Sequence, residues 1–144
     1  MKKLFIPLMI LTALLPGCSQ GPSPEEISKV AYEWEKAVFD RDYDRQQVFL
    51  YEEGSYEAYK GDKRIDSGLK YEDIRFEVYH DKELDNYYVL ADFKNPNGKN
   101  TVKDELLIRK KDDTWKIDQN KSMKLDRDQI EENFERQACI HCDQ

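Results

Sequence analysis

Tyr71-Glu72-Asp73-Ile74-Arg75-Phe76-Glu77-Val78-Tyr79 and, a little further on, Asn86-Tyr87-Tyr88-Val89-Leu90-Ala91-Asp92-Phe93-Lys94 decide how this chain folds. In the first stretch Ile74, Phe76 and Val78 alternate with Arg75, Glu77 and Tyr79. In the second, Tyr87, Val89, Ala91 and Phe93 share one side. Successive side chains of a strand point to opposite faces, so a period of two marks a strand with one buried face. Asn95-Pro96-Asn97-Gly98 then supplies strong turn chemistry. A third strand is expected from about Thr101 to Lys110, a turn at Asp112-Asp113, and a fourth strand over Thr114 to Asp118. Strands joined by such short connections pair antiparallel.

Upstream the period changes to that of a helix. Ser23, Pro24 and Glu26 form a capping box with proline at the first helical position. Ile27, Val30, Ala31, Trp34, Ala37 and Val38 recur at helical spacing and give one broad apolar stripe. A second, shorter helix is expected over Tyr43 to Tyr51, with Asp42 as its cap. Glu52 to Gly68 is punctuated by Gly54, Gly61 and Gly68, and Tyr56 to Tyr59 within it reads as helix or short edge strand. Downstream, Ile130, Phe134 and Ala138 make the ridge of a last helix from Asp126 to about Cys139. The fold class is therefore α+β: N-terminal helices packed on a curved antiparallel sheet of four or more strands, with a C-terminal helix.

The chain opens with Met1-Lys2-Lys3, followed by the apolar run Leu4 to Leu15. A basic start and an apolar run of this length are the secretory pattern, and a spanning helix would need about 20 apolar residues. Leu15-Pro16-Gly17-Cys18 resembles the lipobox of bacterial lipoproteins, with Pro16 a mild departure. The resemblance implies cleavage before Cys18 and a diacylglyceryl group on its thiol. Two acyl chains hold a protein on a membrane where one does not. The expected organisation is a signal peptide at 1–17, a lipidated tether at 18–23, the helix-plus-sheet domain at 24–122, and a C-terminal helix with a CxxC tail at 123–144.

The order of helices and meander, the opening helix Glu25-Glu26-Ile27-Ser28-Lys29-Val30-Ala31-Tyr32-Glu33-Trp34 and the closing Asp112-Asp113-Thr114-Trp115-Lys116-Ile117 resemble the nuclear transport factor 2-like superfamily. That resemblance covers about residues 24–122. It implies a sheet curled around the first helix into a cone, with Trp34, Phe76, Val89, Phe93 and Trp115 as the candidate lining of a pocket. The fold hosts enzymes, binding modules and docking domains alike, so it implies no activity by itself.

The chain has 144 residues, 23 basic and 30 acidic. Two of the basic residues, Lys2 and Lys3, lie in the signal stretch, leaving 21 against 30 and a net charge of −9. An acidic domain lacks the basic face that nucleic acid requires. No glycine-rich phosphate loop, HExxH or other cofactor or metal motif occurs. Asp40-x-Asp42-x-Asp44 begins like a calcium loop, but Arg45 and Tyr51 stand where glycine and a bidentate glutamate are needed. Neither His80 nor His141 has a nucleophile and an orienting acid at triad-like spacing. Tyr71, Tyr79, Tyr87 and Tyr88 offer an aromatic face able to stack on sugars or peptide, but tyrosine also suits half-buried strand positions, and that plainer reading is favoured.

Cys139-Ile140-His141-Cys142 is the sharpest feature. Thiol oxidoreductases place CxxC after a strand, at the start of a helix, whereas here it ends a helical pattern. Cys139 and Cys142 therefore read first as a disulfide, and a single pair supplies too few ligands for a closed zinc site. Two functional classes remain. One is a non-enzymatic, lipid-anchored envelope module that binds a small-molecule ligand or another envelope protein. The other is a thiol-redox or metal-handling protein using Cys139 and Cys142.

Overall fold

The computed structural model describes residues 21–143. Two helices, α1 (Pro24–Phe39) and α2 (Tyr43–Phe49), precede a meander of β1 (Arg75–Asp81), β2 (Asn86–Lys94), β3 (Thr101–Lys111) and β4 (Thr114–Ile117). Short helices α3 (Gln119–Ser122) and α4 (Arg127–Asn133) lead to a fifth strand, β5 (Glu135–Ile140). All neighbouring strands pair antiparallel, in the order β4-β3-β2-β1-β5. The architecture is α+β, as the alternating and helical periods require.

Local chemistry sets the element ends. Ser23 Oγ accepts a hydrogen bond from Glu26 N–H, and Glu26 Oε2 accepts one from Ser23 N–H at 2.7 Å, closing the capping box. Asp42 caps α2 by accepting from Arg45 N–H. The β3–β4 turn places Asp112 and Asp113 at φ of 49° and 61°, the left-handed pair that a two-residue hairpin of matching twist needs. Residues 52–70 form turns and extended chain rather than a helix or edge strand at Tyr56–Tyr59. Tyr56 instead packs edge-on against Trp34, with ring centroids 5.3 Å apart.

The core lies between α1 and the inner face of the sheet. Ile27, Ala31 and Trp34 from the helix meet Phe76, Val78, Val89, Ala91, Phe93, Leu106, Ile108 and Ile117. The outer face carries a smaller cluster, in which Tyr79 and Leu90 pack against Ile130 of α4, with Leu125, Tyr88 and Phe134 beside them.

The last helix is shorter than expected. It ends at Asn133, Phe134 is extended, and Ala138 and Cys139 belong to β5. Ile130, Phe134 and Ala138 are spaced by four, which suits a period of 3.6 and a period of two alike. The unpaired edge of β1 decides between them, because its backbone groups need partners. Phe76 pairs with Ile140 and Val78 with Ala138, and a bulge follows before Tyr79 meets Arg136. The C-terminal segment thus holds a short helix, α4, and then an edge strand of the domain rather than a tail beyond the last strand.

Candidate functional site

Glu35 is the least expected residue of the core. It stands on the apolar stripe of α1, in step with Ile27 and Ala31, and its side chain is buried. Both of its carboxyl oxygens lack a hydrogen-bond donor. The group within hydrogen-bond reach is another acid, Asp104 of β3, which faces inward beside Leu106. Burial, then the Asp104 charge, pushes Glu35 well above the usual carboxylate range. Asp104 is raised as well, by burial and by neighbouring Glu105, while the contact with Glu35 works to lower it. Two adjacent carboxyls out of water cannot both ionise. Burial and the neighbouring charge therefore favour the protonated form of Glu35. Burial also lifts the nearby Tyr56 hydroxyl to about 12, with Tyr59, Glu35 and Asp104 adding to it.

On the outer face the acids are matched instead. Arg127 of α4 donates bidentately to Asp92 at 2.7 and 2.9 Å and to Glu105 at 2.9 Å. Burial works against the charge of Glu77, but hydrogen bonds from Arg136 and Tyr79 and the Arg75 charge outweigh it and hold its pKa down. The contrast isolates Glu35 and Asp104 as the acids that packing alone does not explain.

Two hollows adjoin this frame. A cavity of about 190 Å³ opens where β4 has ended and α3 lies beside β3; Trp34, Asp104 and Gln119 are among its walls. A larger cleft of about 690 Å³ lies at the far end of β1 and β2. Its apolar lining includes Leu69, Phe93 and Pro96, and Arg75, Lys94 and His141 rise around it. Arg75 is held by Glu77 at 2.6 Å and Asp92 at 3.6 Å. Lys94 is exposed and has no ion pair among the described residues.

The five residues named as pocket lining come together in one packed cluster: Trp34, Phe76, Val89 and Phe93 are buried and Trp115 is half-buried against it. Trp34 reaches the smaller cavity and Phe93 the larger cleft. The tyrosines do not share a face. Tyr71 and Tyr87 belong to the inner cluster, Tyr79 and Tyr88 to the outer one. Two acids of the Asp40–Asp44 run are committed to structure: Asp40 accepts from Ser67 N–H and Oγ–H and pairs with Lys36, and Asp42 caps α2. No group of three metal-ligating side chains occurs among the described residues.

Cys139 and Cys142 are joined as a disulfide, with Cα atoms 5.8 Å apart. The ring closes at the end of β5 and holds His141 at φ 57°. His141 Nδ1 lies 2.8 Å from the Ile74 carbonyl oxygen, and its ring meets Tyr71 edge-on at 4.9 Å. His80 stacks on Tyr87 and contacts Asp85 through Nε2 at 3.1 Å. Cys18, the lipidation candidate, lies outside the described residues. No protein-family model matches this chain, and no curated protein or solved structure matches it either.

The sequence held a usable signal for the acid pair. Glu35 falls eight residues after Ile27 and four after Ala31, and Asp104 alternates inward with Val102, Leu106 and Ile108. An acid on an apolar stripe is informative because ionisable groups are rarely buried without a partner. In a chain with 30 acids the two did not stand out from the solvated ones.

Proposed function

We propose that this protein is a lipid-anchored module on the extracytoplasmic side of the cell membrane that binds a small molecule in the cleft between the 68–73 loop and the β2–β3 turn. The observation that carries this reading is the cleft itself. Its volume lies within the range of about 300–1,000 Å³ usual for small-molecule sites. Such sites combine an apolar lining with a few placed polar groups, as Leu69, Phe93 and Pro96 do here with Lys94, Thr101 and His141. The acids nearby, Asp73 and Asp92, are engaged: Asp73 accepts from Lys70 N–H and Asp92 is gripped by Arg127. Lys94 is the lining lysine without an ion pair among the described residues, so the fitting ligand has an apolar body and an anionic group that reaches Lys94 away from Asp73. The lipobox-like Leu15–Cys18 supports the anchor, and four residues, Ser19 to Pro22, separate Cys18 from the α1 cap at Ser23. Fully extended, that tether reaches about 17 Å, which keeps the domain at the membrane surface.

Two experiments test the two halves of the reading. Cells expressing the chain and fed an alkyne fatty acid should label the protein, and Cys18→Ser should abolish the label; equal labelling of the variant refutes the anchor. The fluorescent apolar anion 1-anilinonaphthalene-8-sulfonate should bind the purified chain saturably, and Lys94→Glu should weaken it at least tenfold. Lys94 is exposed, so the variant keeps its fold. Undiminished binding by Lys94→Glu removes the cleft as the site.

A further inference from the structure

The smaller cavity differs in kind from the cleft. It lies against the inner acid pair, and its unsatisfied side-chain atoms are acceptors. Asp104 lines it, and behind Asp104 stands Glu35, buried and without a donor. Gln119 also lines it, and Gln119 Oε1 is buried without a partner. The other polar groups nearby are committed. Ser122 Oγ donates to the Asp118 carbonyl and accepts from Leu107 N–H. Arg127 is held on the outer face by Asp92 and Glu105. Trp34 and Leu106 complete an apolar wall. A buried polar atom left without a partner costs about 1–3 kcal/mol, and more when it is charged, so Gln119 Oε1 on the wall, beside the Asp104 carboxyl, calls for a donor from outside the chain.

We propose that this cavity is a second binding site, independent of the cleft, for a small organic cation bearing N–H donors, of the primary alkylammonium class. The ammonium donates to the Asp104 carboxylate and to Gln119 Oε1, and its alkyl part lies against Trp34 and Leu106. A tryptophan ring adds attraction for a cation near its face. The volume of about 190 Å³ suits an amine of a few carbons. A bare metal ion fits less well, because Glu105 is turned to Arg127 and no group of three metal-ligating side chains is present among the described residues.

The site also has a proton to release. Burial and the Asp104 charge favour a protonated Glu35 while the cavity is empty, and a bound cation stabilises both carboxylates in their charged form. The titratable and charged groups around the pair are Tyr56 from the 52–70 segment, Glu105 and Asp92 on the sheet, and Arg127 on α4. Tyr56 stays neutral and Arg127 stays charged over the working range, so the released proton comes from the pair.

The test uses the purified full chain in non-ionic detergent, in a Trp115→Phe background so that fluorescence reports Trp34. Butylammonium chloride is titrated at constant ionic strength against sodium chloride and tetramethylammonium chloride, and calorimetry is run in two buffers of different ionisation heat. The expected result is a saturable fluorescence change with butylammonium only, accompanied by proton release. Asp104→Asn should weaken binding at least tenfold, and Glu35→Gln should bind without releasing a proton. Equal responses to sodium or tetramethylammonium overturn the proposal, as does unchanged binding by a folded Asp104→Asn chain. Should Asp104→Asn fail to fold, binding to the parent without proton release overturns it on its own.

Discussion

Replacing Glu35 by glutamine changes one atom in the core and should change how stability depends on pH. The folded-state pKa of Glu35 is raised by burial and by Asp104, so between the unfolded value near 4.5 and the raised folded value the native chain binds one proton more than the unfolded chain. Stability then falls as pH rises through that window, with a slope of up to about 1.4 kcal/mol per pH unit for one proton. Below the window both states are protonated, and above it both are ionised, so the slope vanishes at either end. Asp40 and Glu77 have lowered pKa values and act in the opposite sense, since their stabilisation is lost as pH falls below the usual carboxylate range. They are present in both proteins and cancel in the difference. Glutamine cannot ionise, and its amide N–H can donate to Asp104. Glu35→Gln should therefore melt higher than the parent at pH 8, with the gap closing by about 5 °C per pH unit through the window for a domain of this size. Thermal melts of both proteins followed by circular dichroism from pH 4 to pH 9 measure it directly. Parallel curves across that range would mean that Glu35 is neither buried nor protonated in the native protein.

Further outcomes follow from other parts of the frame. Trp34→Ala removes a buried ring facing Tyr56 and should cost about 3–5 kcal/mol in denaturant unfolding; a loss under about 1 kcal/mol would contradict the packing of α1 on the sheet. Arg127→Ala leaves Glu105 without its cation and Asp92 with only the longer contact to Arg75 and should cost about 2 kcal/mol, less than a fully buried pair because water reaches these groups. Arg127→Lys, which cannot grip Asp92 with two parallel bonds, should recover only part of it. Reduction of Cys139–Cys142 should lower stability by about 2 kcal/mol at most, since the closed ring is very small. It should nonetheless raise the rate at which diethyl pyrocarbonate modifies His141 over that for His80, because the ring holds His141 against Ile74 and Tyr71.

The elements legible from sequence were those whose period and punctuation agree. α1 carries its capping box and its stripe, and β1 to β4 carry alternation bounded by turn residues, so the expected bounds of β2 to β4 lie within a residue of those observed, while β1 begins at Arg75, after a helical turn at Tyr71–Asp73. β5 was not legible, because Ile130, Phe134 and Ala138 satisfy two periods at once and only the free edge of β1 chooses between them. The outward assignment of Tyr79 and Tyr88 was available from alternation alone, since each adjoins an inward position on its strand. The candidate site was readable one residue at a time and not as a pair. Glu35 and Asp104 are distant in sequence and meet only because α1 crosses the inner face of β3, a tertiary fact that no local pattern encodes.

The placement of β5 shapes how the domain comes apart. The meander from β1 to β4 is built from neighbours in sequence, so its closure costs little chain entropy. β5 instead crosses by way of α3 and α4 from the β4 edge to the β1 edge, and it docks on a strand laid down far earlier in the chain. Long-range closures of this kind form late in folding. Exposed side chains at Glu135 to Gln137 leave β5 lightly buried for an edge strand. Native-state opening should therefore begin there, as a partial unfolding that frees β5 while β2 and β3 keep their amide protons. His141 would leave the wall of the cleft in the same event, so the cleft belongs to the least stable cooperative unit of the domain, whereas the acid pair on α1 and β3 belongs to the most stable.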